Sequence, residues 1–245
     1  MAIDEGEFLA VSDRGSVARF SLPGSGRQEV ALSDLRVGPG PFGKKWARDA
    51  ESLAGDPLGR GWWVGFEQNH SLWLYDRDFR RALASVDLHP PDWSDNGGAE
   101  GLLASDGQML VLGQNGRDAI RIEGNKAANL GLNANQEIAD AARAPDGSDW
   151  VLLRRPGLSG IQQSIAPLEP TKDGYVIGAA WQVPKGALDN FEGMTIQVRP
   201  GGEWRFWLLT DDDFRSSART LLVALDYSRP ARSDKSPAMG AGLSK

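Results

Sequence analysis

Three glutamates share one local pattern. Glu51-Ser52-Leu53-Ala54, Glu100-Gly101-Leu102-Leu103 and Glu192-Gly193-Met194-Thr195 each read as glutamate, small residue, large apolar residue, then a small or apolar one. Further along comes a short apolar run ending in a polar group: Val64-Gly65-Phe66-Glu67, Val111-Leu112-Gly113-Gln114 and Leu208-Leu209-Thr210-Asp211. Leu9-Ala10-Val11-Ser12-Asp13 repeats the second half alone, and Gln136-Glu137-Ile138-Ala139 with Val151-Leu152-Leu153-Arg154 is a degenerate copy. Carboxylates at equivalent places in a repeat converge when the repeats surround an axis. Clustered, they repel, and need a cation, a proton or arginines. Oxygen-only ligands favour calcium or magnesium over zinc. Glu51, Glu100, Glu192 and Asp211 are the candidate ligands of such an ion, calcium first, with Asp13 and Glu67 beside them. Arg14, Arg154, Arg155 and His70 fall at the same strand ends. Arginine forks grip phosphate or carboxylate. Phosphate ester hydrolysis at a cation needs a Lewis acid, an activated water and positive charge on the non-bridging oxygens. On that chemistry Glu67, His70 and Arg155 are candidate catalytic groups, and Arg14 and Arg154 candidate holders of a small anionic substrate. The plainer alternatives stand beside this. Each glutamate could cap its own unit, the arginines could bridge to the acids, and His70 could be a surface hydrogen-bonding residue.

The elements that must position these groups are short. Apolar runs such as Trp62–Phe66, Ser71–Tyr75, Met109–Leu112, Trp150–Leu153, Arg205–Leu209 and Thr220–Leu225 are bounded by Asp-Gly, Asn-Gly and Pro-Gly-Gly turn signals. That is the rhythm of an all-β protein. Two stretches, Lys45 to Ala54 and Gln136 to Ala144, carry helical spacing or alanine richness and admit a helical turn each. The carboxylates give the period. Glu51 and Glu100 are 49 residues apart, Glu100 and Glu192 are 92 apart, and Glu67 and Asp211 are 144 apart. A period of about 48 is one four-stranded blade, so the chain reads as a single β-propeller of about five blades, with six as the alternative. It opens on what reads as a second strand, Glu7 to Ser12, so an inner strand before Phe8 is expected to be missing and the terminal blade incomplete. The domain spans residues 1–228, and residues 229–245 read as a disordered polar tail.

Composition narrows the partners. There are 27 basic and 33 acidic side chains, a net charge of −6, which argues against nucleic acid. With no cysteine and only two histidines, His70 and His89, thiol chemistry and an H-E-x-x-H zinc site are excluded. No run is long and apolar enough to span a membrane. Gly-x-Ser-x-Gly, Walker A and dinucleotide-binding patterns are lacking. Oligomeric state is not legible.

The motifs also carry a resemblance. Ala10-Val11-Ser12-Asp13-Arg14-Gly15, Asp49-Ala50-Glu51-Ser52-Leu53-Ala54, Phe66-Glu67-Gln68-Asn69-His70, Asn96-Gly97-Gly98-Ala99-Glu100-Gly101-Leu102, Asp189-Asn190-Phe191-Glu192-Gly193-Met194 and Leu209-Thr210-Asp211-Asp212-Asp213-Phe214, followed by Arg219-Thr220-Leu221-Leu222, resemble the phytase-like β-propeller proteins of bacteria, the "esterase-like activity of phytase" family. The resemblance runs over about Phe8 to Asp226. It implies a propeller, a hydrolase of phosphoester or esterase-like type, and export to the periplasm or beyond. Met1 to Gly6 shows no signal peptide, which leaves the cytoplasm open. Gln114 and Leu153 stand where the family pattern has glutamates, and Asp213 where it has asparagine. Those losses favour the competing reading, a non-catalytic propeller that binds a ligand or protein partner.

Overall fold

Turn residues cut the apolar runs into lengths that only strands can use, and the strands pair with their sequence neighbours. The computed structural model describes residues 1–23, 29–41, 44–89, 93–94, 97–124, 126–157, 160–184, 190–211 and 220–227. The first sheet holds β1 (Ala2–Asp4), β2 (Glu7–Val11), β3 (Ser16–Ser21) and β4 (Val30–Asp34) in that order. A helical turn, α1 (Lys45–Arg48), leads into a second sheet of β5 (Ala50–Gly55), β6 (Gly61–Phe66), β7 (Ser71–Asp76) and β8 (Ala82–Asp87). Then come β9 (Ala99–Ser105), β10 (Gln108–Gly113), β11 (Asp118–Glu123) and β12 (Lys126–Asn133), followed by β13 (Glu137–Arg143), β14 (Asp149–Gly157), β15 (Gly160–Pro170), β16 (Gly174–Ile177) and β17 (Trp181–Gln182). These two runs share one sheet, because β16 pairs antiparallel with β15 and parallel with β12. The last sheet is β18 (Phe191–Val198), β19 (Trp204–Thr210) and β20 (Leu222–Tyr227). Turn chemistry fits the hairpins. Asp106 and Gly107 both take positive φ, 46° and 79°, as a two-residue turn between paired Ser105 and Gln108 requires.

The fold is all-β and propeller-like. β5 packs beside β9, β9 beside β13, β13 beside β18, β18 beside β1, and β1 touches β5. The inner strands thus surround an axis, and apolar clusters fill the wedges between adjacent sheets. One such cluster sets Leu72 and Leu74 against Val111 and Ile120. Another joins the first and last sheets: Met1 and Phe8 pack on Trp207, with the Phe8 and Trp207 rings edge to face at 5.3 Å.

Two expectations are corrected. The inner strand before Phe8 is present: it is β1, three residues joined to β2 by the tight Glu5-Gly6 turn. So short a strand leaves no periodic trace, and the first sheet has four strands. The last sheet has three among the described residues, and the expected tail 229–245 lies outside them. The helical readings also shrink. Of the two stretches, Lys45 to Ala54 keeps a helical turn at Lys45–Arg48, and Gln136 to Ala144 holds strand β13 instead. The alanines of β13 answer crowding at the axis rather than helix propensity. Ala141 lies so close to Gly101 of β9 that a Cβ on Gly101 would come within 2.9 Å of it. None of the described helices is long and apolar enough to cross a membrane.

Asp56 anchors the β5–β6 turn. Its carboxylate accepts bonds from the Leu58 and Arg60 amides, from Arg60 Nε and Nη2, and from Trp63 Nε1 at 2.9 Å. The Arg60 bonds outweigh burial and hold its pKa down at about 2. A depressed acid stabilises the fold above its unfolded pKa of 3.8 and loses that contribution as pH falls toward 2. Asp56→Ala should lower stability by about 2 kcal/mol, since it strands the buried Trp63 indole N–H. Urea midpoints at neutral pH measure this, and the gap from wild type should narrow below pH 3.8.

Candidate functional site

The three glutamates owe their direction to β-bulges. Pairing of β5 with β6 slips between Ala50 and Ser52, so Glu51 has no partner residue. Pairing of β18 with β19 slips between Phe191 and Gly193, freeing Glu192. On β9, Ala99 and Gly101 are paired with β10 and Glu100 is skipped. A bulged residue bends the strand and re-aims its side chain. Here all three turn toward one mouth of the channel. β13 has the same bulge, between Ile138 and Asp140, and its skipped residue is Ala139. The degenerate copy is therefore aligned on Ala139, not Glu137, and carries no carboxylate at that place.

Opposite the bulges stand the ends of the second strands. The Glu67 amide bonds the Asp49 carbonyl, Gln114 bonds Gly98, Asp211 bonds Asn190, and Arg154 is paired with Glu137. Arg154, rather than Leu153, thus holds the strand-end position, and Leu153 is fully buried in the core.

These residues line a cavity of about 320 Å³ together with Asp13 and Gln68. Glu51, Glu100, Glu192, Asp211, Glu67 and Arg154 are all brought together there. Asp49 joins them. One oxygen each from Asp49, Glu51 and Glu67 lies within 4.8 Å of the others. Sequence reasoning passed over Asp49 as a ligand; the bond from the Glu67 amide to its carbonyl brings it beside Glu67. The other candidates are elsewhere. Arg14 is exposed in the β2–β3 turn. Arg155 is exposed on β14 and donates to Gln162 Oε1 at 2.9 Å, because adjacent strand residues face opposite sides and Arg154 takes the cavity side. His70 sits in the β6–β7 turn with φ 40°, its ring edge to face with Trp93 at 5.7 Å.

Charge is unevenly compensated around the rim. Arg154 Nε donates to Glu137 at 3.0 Å and Nη1 to Glu192 Oε1 at 2.9 Å, and Asn190 also donates to Glu192. Burial would lower the Arg154 pKa, but Glu192, Glu137 and Glu100 more than reverse it. The far side differs. Burial, then the charges of Glu100, Asp49 and Glu67, pushes Glu51 well above the usual carboxylate range. Burial, then Glu67, pushes Glu100 up likewise, with Arg154 opposing. A raised acid stabilises the fold below its unfolded pKa, here 4.5, and loses that contribution as pH rises through the folded value. In chelator the melting temperature should therefore fall as pH climbs from 4.5 to neutrality, and Glu100→Gln should flatten the slope.

Residues 1–214 match the Phytase-like family, described as "Esterase-like activity of phytase". The chain belongs to this family. No curated protein matches it. Among solved structures, hydrazine synthase of Kuenenia stuttgartiensis is similar at 13% identity and TM-score 0.46, over 93% of this chain and 65% of that one. A putative 6-phosphogluconolactonase of Bacteroides fragilis is similar at 11% identity and TM-score 0.42, over 92% and 68%. The Cps50 (Swd1) β-propeller domain of Myceliophteria thermophila is similar at 10% and TM-score 0.42, over 90% and 72%. The phytase-like chain spans less than two thirds of the hydrazine synthase chain.

Proposed function

We propose that this phytase-like protein is a five-bladed propeller that hydrolyses a phosphate ester at the acidic mouth, with a divalent cation held by Asp49, Glu51 and Glu67. The observation that carries the reading is the approach of three carboxylate oxygens to within 4.8 Å of one another. The donor set fits a hard cation. It is all oxygen, and the strongest charges acting on Glu51 are other carboxylates. When bound, calcium or magnesium supplies a Lewis acid and a water of lowered pKa. The chain's own groups do the rest. Glu100 is buried, and burial first, then the charge of Glu67, raises its pKa and favours its protonated form, which suits a proton donor. Arg154 offers the cavity its positive charge for a phosphoryl oxygen. Export, implied by the family resemblance, belongs to the same proposal.

A specific observation favours the second reading, a non-catalytic binding propeller. Arg154 already bonds two glutamates, and Arg14, Arg155 and His70 are not among the residues lining the cavity. Elemental analysis of purified protein, with phosphomonoester, phosphodiester and acyl-ester substrates, separates the two. Bound calcium with phosphoester turnover that Glu51→Gln abolishes supports the first. Protein without divalent metal and without turnover on any class supports the second.

A further inference from the structure

At the other end of β13, away from the acidic cavity, lies a groove of about 630 Å³. That volume is ordinary for a small-ligand site. One wall is aromatic. The rings of Trp150, Trp204 and Tyr227 stand with centroids 6.0 Å from one another, and Tyr175 also lines the groove. Such mutual packing fixes the wall before any ligand arrives. The polar groups are mostly engaged. Arg143 donates to both oxygens of Asp149, at 2.9 and 3.0 Å, so this pair adds no net charge. The Trp150 indole N–H bonds Ser148 Oγ at 3.0 Å. Glu169 is left: it is exposed at the rim and makes no ion pair among the described residues.

Tyr175 and Tyr227 are the half-buried rings of the lining; aromatic π-density is negative, and a carboxylate beside it adds to that potential. An anion is disfavoured on both counts. A metal ion needs several oxygen ligands, and one unengaged carboxylate does not supply them. The aromatic wall and Pro167 suit alkyl groups instead. We propose that this groove binds a small organic cation of the alkylammonium type, its methyl groups against the aromatic wall and its charge answered by Glu169. The site is separate from the acidic mouth and does not depend on its chemistry.

The test is an NMR titration of the whole chain with tetramethylammonium, in saturating calcium so that the acidic mouth is filled. The neutral isostere tert-butanol serves as the control. The indole N–H resonances of Trp150 and Trp204 should move with the cation and not with the alcohol. Glu169→Gln and Tyr175→Leu should each weaken binding about two- to fivefold, and Glu51→Gln should leave it unchanged. Equal response to tert-butanol overturns the proposal, because the groove then has no charge preference. Loss of binding in Glu51→Gln rather than Glu169→Gln also overturns it, by placing the cation in the acidic mouth. So does a titration in which neither indole moves.

Discussion

Stripping divalent metal should lower the melting temperature by about 5–10 °C, and calcium should restore it. The size follows from linkage. A cation that binds only the native state adds about 2.7 kcal/mol at a hundredfold excess over Kd. For a chain of this length each kcal/mol moves the transition by about 2–4 °C. The cause is local: Asp49, Glu51 and Glu67 are pressed together at one side of the mouth, and with Asp49 buried and the other two half-buried, solvent screens their repulsion only in part. Glu51→Gln should abolish the calcium response while keeping the side chain's shape. It should also melt above wild type in chelator, because one repelling charge is gone. Arg14→Ala and Arg155→Ala should respond to calcium as wild type does, since neither lines the cavity. Calorimetry in EDTA and in calcium measures all four. If wild type is indifferent to both, the carboxylates are held by protons and arginine, and the binding-module reading moves ahead.

The recurrence of Glu51, Glu100 and Glu192 was legible because each repeat keeps the same apolar context around the glutamate. That was enough to place all three in one cavity. The bulges were not legible. A bulge adds one residue that pairs with nothing, so it changes register without changing the apolar pattern. Aligned on composition, Glu137 takes the glutamate's place in the fourth repeat; aligned on the bulge, Ala139 does. The same slip decides Arg154 against Arg155. Strand alternation says that one of two neighbours faces the cavity, and only register says which. Asp49 was hidden for another reason, because its nearness to Glu67 is a relation across the pair, between the residue before β5 and the residue after β6. β1 was missed because three residues, paired through a tight turn, carry no periodicity.

Arg154→Met should destabilise the protein by about 2–3 kcal/mol in chelator, a fall of roughly 5–10 °C in melting temperature. Breaking a fully buried ion pair costs about 3–5 kcal/mol, and the figure is reduced here because the partners are partly wet. The Arg154 side chain is 17% exposed, Glu192 28% and Glu137 40%. Methionine fills much of the arginine's volume, so the loss is electrostatic rather than a cavity. It leaves Glu192 and Glu137 without their shared guanidinium and removes a positive charge that opposes protonation of Glu100. Arg154→Lys should fall between, since an ammonium keeps the charge but cannot fork to two carboxylates. Calcium should recover more stability in the methionine variant than in wild type, because the cavity has become more negative and attracts the cation more strongly. Arg155→Met is the neighbouring control and should change stability by no more than about 0.5 kcal/mol, as expected of an exposed side chain. A methionine variant as stable as wild type in chelator would mean that the bonds of Arg154 to Glu137 and Glu192 add nothing to the stability of the fold.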